Sequence, residues 1–170
     1  TPVRRDGQQP IIFMQCGPIR HSAARPASTP HDLSVVPRLL SKPIVIPDGS
    51  GIQDVFRCLA EDIERTVKIV SEIELAFNQG RKILVLTERT EHVNAIEAAL
   101  KGRVYNLFTL HGRMPKKQRI SRMQELDSLP PDAPRVLLAT GKLVGEGFDH
   151  PPLDTLVLAM PISWKGILQQ

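Results

Sequence analysis

From Ser50 onward the chain carries apolar residues at helical spacing. Ile52, Phe56, Leu59, Ile63, Val70, Ile73 and Phe77 recur at intervals of three, four or seven residues, which puts them on one stripe of an amphipathic helix and makes that stripe core. Ser50 and Gln53 have the spacing of a capping box, Gly80 supplies a stop, and a break near Ala60 to Ile63 divides the segment into two helices. Units of the two periodicities then alternate: a strand over 83–87, a helix over 91–100 ended by Gly102, a strand over 104–110, a helix over 116–127 with Pro115 at its first turn, and a strand over 135–139. Val93, Ile96 and Leu100 give the first of these helices an inward face, and Ile120, Met123 and Leu126 do so for the second. The continuous apolar runs 136–139 and 156–159 read as buried parallel strands. Right-handed crossovers then place helices on both faces of the sheet. The pattern predicts an α/β fold around a central, mostly parallel sheet.

The first 50 residues differ. They hold eight of the 15 prolines, a density that suits a connector more than a domain interior. Short apolar runs at 11–14, 33–36 and 44–46 each suggest a short strand, and 22–29 reads as flexible. Over the whole chain, 41% hydrophobic and 24% charged residues describe a globular protein. No apolar stretch approaches the roughly 20 residues that span a bilayer, and no signal peptide is apparent, so the expected location is cytoplasmic. Cys16 and Cys58 are far apart and lack metal-ligand spacing, which argues against a disulfide scaffold or a zinc site.

Charge adds a partner class. The net charge is +4, but its distribution matters more: Lys101, Arg103, Arg113, Lys116, Lys117, Arg119 and Arg122 follow one another with no Asp or Glu between them. Such a stretch suits a polyanion.

In a parallel sheet the residues following successive strands gather at one edge. Here they are Thr87, Glu88 and Arg89, then His111, Gly112 and Arg113, then the segment TGKLVGEGFDHP beginning at Thr140. Gly141, Gly145 and Gly147 let backbone N–H groups approach an anion, and Asp149 is placed to accept from a ribose hydroxyl. Hydroxyls, cations and glycines together suit phosphates of a nucleotide or a nucleic-acid backbone. There is no GxxxxGK phosphate loop and no paired-acid metal site after an apolar strand, so the chain alone is not expected to hydrolyse ATP.

These residues resemble the second RecA-like domain of superfamily 2 helicases and translocases. ILVLTER matches motif IV and LLATGKLVGEGFD motif V, with LHGRMPKKQR between them resembling the family's histidine-glycine segment before an arginine-bearing helix. Thr1 and Pro2 resemble the tail of motif III, and Gln170 the first residue of motif VI. The nearest flavour is that of restriction-enzyme motors and XPB-like repair helicases. The resemblance implies a three-layer RecA-like domain of the P-loop NTPase type. Residues 1–31 would be the tail of a first RecA-like domain and a connector, and 32–170 a second domain cut before the motif VI arginines. It implies that Gly147, Asp149 and Glu146 reach ATP across an inter-domain cleft, and that Thr87, Arg89, His111, Gly112, Arg119, Thr140 and Lys142 contact nucleic acid, with DNA as the expected partner and RNA as the alternative. ATP and Mg2+ would be held mainly by the first domain, with no catalytic residue and no metal ligand in this chain and no membrane partner.

Two other readings stay open on the residues alone. A nucleotide-sugar glycosyltransferase lobe accounts for the glycines at 145 and 147 but not for the basic stretch. A non-enzymatic nucleic-acid-binding module accounts for the charge without any ATP. Trp164, beside Pro161, is read as packing rather than as a base-stacking platform.

Overall fold

The computed structural model describes residues 9–21, 34–141 and 150–161. Residues 9–21 and 34–39 belong to one compact unit and the described residues from 40 onward to another.

In the first unit the run at 11–14 is helical, not a strand: it lies inside α1 (Gln9–Cys16). Gly17, at φ 76°, donates to the Phe13 carbonyl at 2.9 Å and ends the helix. The described part of the 33–36 run and the run at 44–46 form no strand either. Pro37, Pro43 and Pro47 remove the ladder donors these segments would need.

In the second unit the long amphipathic segment is two helices, α2 (Ile52–Glu61) and α3 (Ile63–Asn78). Asp62 separates them in an extended conformation, and its carboxylate accepts the Arg65 backbone N–H at 2.7 Å. The break thus caps the second helix. The expected capping box at Ser50 does not form. Gly51 is the N-cap, without a side-chain bond, and Ser50 Oγ donates instead to the Pro47 carbonyl at 2.6 Å. Gly80 does stop α3. At φ 81° it donates to the Phe77 carbonyl while Arg81 donates to that of Ala76, a Schellman arrangement that satisfies the final turn.

Four strands follow, β1 (Lys82–Thr87), β2 (Leu107–Leu110), β3 (Arg135–Thr140) and β4 (Thr155–Leu158), in the parallel order β2-β3-β1-β4. Helices α4 (Thr90–Leu100) and α5 (Lys116–Asp127) connect them. Alternate residues of the strands face opposite layers. Ile83, Val85, Val136 and Leu138 pack with Val70, Ile73 and Phe77 of α3 and with Val93, Ile96 and Leu100 of α4. Leu86, Leu137, Ala139, Phe108 and Leu110 pack with Leu126 of α5 on the other side. The result is the expected three-layer α/β sandwich of the RecA-like type.

Three details depart from the sequence expectation. β2 begins at Leu107 rather than at 104, because Asn106 turns into the left-handed region at φ 55° while its side-chain amide donates to the Pro134 carbonyl at 3.0 Å. Ile120 is 47% exposed rather than inward, since α5 meets β2 through Met123 and Leu126. β4 is only half-buried, with Leu156 and Leu158 open on the face shared with Leu84 and Leu86.

The amino edge of the sheet is tied by charged groups. Lys82 holds Asp154 through both its backbone N–H, at 3.1 Å, and its ammonium, at 2.8 Å. Arg135, fully buried at the start of β3, is bonded to His150, Ala133 and Pro130.

Candidate functional site

The opposite edge carries the residues singled out for chemistry. Thr87 and Thr140 are register partners at the carboxyl ends of β1 and β3, and Leu110 of β2 pairs with Ala139. Three successive strand ends are therefore level, and the residues after them are neighbours.

The structure places these residues at different depths. Thr87 is buried, and its hydroxyl lies 2.9 Å from His92 Nδ1 on α4. Thr140 is also buried. Arg89 is half-buried at the N-cap of α4, where a terminal nitrogen donates to the Gln53 carbonyl of α2 at 2.7 Å, so its guanidinium is engaged within the fold. His111 is half-buried, with Nδ1 in the interior and no hydrogen-bond partner among the described residues. Gly112 is exposed beside it. Lys142, Glu146, Gly147 and Asp149, together with Gly145, Trp164, Gln170, Thr1 and Pro2, lie outside the described residues.

The basic stretch divides into paired and unpaired cations. Arg103 meets Glu74 at 3.4 Å, Arg113 meets Glu91 at 3.3 Å and Arg122 meets Glu125 at 3.0 Å. Lys101, Lys116, Lys117 and Arg119 have no carboxylate partner among the described residues. The last three occupy the first turn of α5, which contains no acidic side chain. That turn follows β2 at the carboxyl edge, so the positive end of the helix dipole and these cations fall on the same side as the strand ends. A polyanion there meets unneutralised charge.

Two described acidic side chains lie at this edge, Glu91, which pairs with Arg113, and Glu88. Glu88 is exposed, and one of its carboxylate oxygens lies only 2.8 Å from where a Cβ at position 141 would sit. Gly141 thus lets the end of β3 pass close beneath the carboxylate. Its lack of a side chain matters here for close approach.

Residues missed in the sequence shape the site from behind. His92 is completely buried, and burial together with the positive charge of Arg65 pushes its imidazole down to about 4, so it is neutral near pH 7. Arg65 of α3 donates to the Ala159 carbonyl at 2.7 Å, just beyond β4. Burial lowers its own pKa, against the raising influence of Asp62. The sequence signal for His92 is slight: it adjoins Val93 on a helix whose inward face shows only through its apolar residues. Among the described residues no group of three or more His, Cys, Asp or Glu side chains is placed to hold a metal ion.

The comparisons with known proteins agree with this architecture. Residues 64–165 match the family model described as helicase conserved C-terminal domain. T4 UvsW shares the fold at TM-score 0.59 and 16% identity over 72% of this chain and 24% of its own. The C-terminal part of the Fun30 ATPase domain does so at TM-score 0.53 and 13% identity, over 64% of this chain and 37% of its own. The chain therefore spans well under half of either protein chain. No curated protein sequence matches it. The matched model covers more than half of the chain, including every described strand and α4 and α5, and the chain belongs to the helicase conserved C-terminal domain family.

Proposed function

We propose that the chain is the C-terminal motor domain of an ATP-dependent superfamily 2 helicase or translocase acting on DNA. Its carboxyl sheet edge is the nucleic-acid surface. The observation that carries this reading is the first turn of α5, whose Lys116, Lys117 and Arg119 have no carboxylate partner among the described residues, set after β2 on the edge where Thr87 and Thr140 pair. Phosphate contacts from such a surface position a strand without reading its sequence. A glycosyltransferase lobe does not by itself account for the acid-free basic stretch that contains these cations.

ATP is proposed to lie between this domain and a first RecA-like domain of the same protein. Gly147, Asp149 and Glu146 would be this chain's contacts, with Mg2+ held by the other domain. Bound ATP supplies the free energy of phosphoryl transfer. This chain's residues would sense its presence and move the strand grip by domain closure.

ATP turnover of the complete protein, with and without single-stranded DNA, tests this reading. DNA-stimulated turnover that Asp149→Ala impairs is expected, while residues 1–170 alone should show none above background. Turnover by those residues alone, or indifference to Asp149→Ala, would count against it.

A further inference from the structure

The hydrogen bond between Thr87 and His92 closes the short turn that joins β1 to α4, and both side chains are buried. Glu88 and Arg89 occupy that turn. Outside, it is held by Arg89 on the Gln53 carbonyl. On its other side Glu88 lies over Gly141 at the end of β3. Any shift of the turn therefore moves a cation and an anion on the proposed nucleic-acid edge.

The direction of the inner bond follows from what surrounds the ring. Were the hydroxyl to donate to Nδ1, the neutral imidazole would carry its proton on Nε2. That atom is buried without a hydrogen-bond partner among the described residues, and so is Nε of Arg65, whose charge acts on the ring. A second orphaned donor in the field of a cation is the worse arrangement. With the proton on Nδ1, Nε2 offers a lone pair to that field instead.

We propose that His92 is a positioning residue: as the Nδ1–H tautomer it donates to Thr87 Oγ1 and fixes the 88–89 turn on the strand-end surface. Only its consequence for binding rests on the nucleic-acid reading. Thr87 then serves as an internal anchor, and the surface contact belongs to the turn it holds.

Long-range proton–nitrogen NMR of the protein labelled with nitrogen-15 histidine tests the tautomer, and two variants test the positioning. Asparagine places an amide N–H near the Nδ1 position, whereas glutamine reaches toward Nε2. The expected spectrum at pH 7 shows a neutral ring protonated at Nδ1. His92→Asn should bind single-stranded DNA with nearly wild-type affinity, and His92→Gln should lose about two- to tenfold, the range of one hydrogen bond. An Nε2–H spectrum, or equal behaviour of the two variants, overturns the proposal. If the wild-type protein binds no DNA, the nucleic-acid reading fails, and the spectrum with the order of thermal stability, Asn above Gln, still decides the role of His92.

Discussion

Arg135 Nη1 stands 3.0 Å from His150 Nε2, and this contact settles the hydrogen-bonding roles of both side chains. A guanidinium only donates, so Nε2 accepts, and the ring proton sits on Nδ1, which donates to Asp127 Oδ1 at 3.1 Å. Arg135 Nε meets the Ala133 carbonyl at 3.0 Å and Nη2 that of Pro130. A buried cation is thus carried on two carbonyls and an imidazole, with the carboxylate one step away. These bonds join the start of β3, the loop after α5 and residue 150.

Arg135→Met should therefore destabilise the protein by on the order of 3 kcal/mol, because it removes three hydrogen bonds at once, one of them to the buried His150 ring. The urea midpoint measures this. A loss below about 0.5 kcal/mol, the size of an ordinary surface substitution, would show that the network is dispensable.

His92 gives a pH dependence with a definite sign. Its folded pKa is lowered from 6.5 to about 4, so the unfolded chain binds the proton first. Stability is undiminished above about pH 6.5 and falls as the pH drops toward 4. His92→Asn should flatten the stability profile across that window. An equally steep profile in the variant would assign the slope to another group.

Asp154 acts lower on the scale. Burial raises its pKa, but the hydrogen bonds from Lys82 and Thr155 and the charge of Lys82 together outweigh this and leave it below 3.8. Its contribution is present above pH 3.8 and is lost as the pH falls through the depressed folded value. Asp154→Asn should lower stability at neutral pH and reduce the acid loss below 3.8. Acid unfolding curves with superimposable limbs would contradict this.

Asn106 holds φ at 55° and donates to Pro134. Asn106→Ala should cost on the order of 1–2 kcal/mol, from strain plus the lost bond, and Asn106→Gly should cost less because glycine accepts that backbone. Thermal midpoints ordered Asn, Gly, Ala are expected, and Ala at or above Gly would refute the strain argument.

The order of elements after Ser50 was legible in the sequence because each helix and strand declared its period, and the helix over 116–127 matches α5 at both ends. What escaped was set by contacts distant in sequence. β2 lost its first residues to the turn at Asn106. β4 looked fully buried from its apolar run, yet only one of its faces is covered. At the site, residue types after the strands located the edge, but burial could not be read from them. Thr87 and Arg89 looked like surface contacts, while the fold engages both with His92 and Gln53, partners that no local motif announces.

The role of the carboxyl edge is best measured by the salt dependence of single-stranded DNA affinity in the complete protein, comparing wild type with the triple variant Lys116→Ala, Lys117→Ala, Arg119→Ala. Each lost phosphate contact should reduce the slope of log affinity against log salt by about 0.7, so the triple variant should bind more weakly and with a slope shallower by up to about 2. An unchanged slope and affinity would contradict the placement of nucleic acid on this edge.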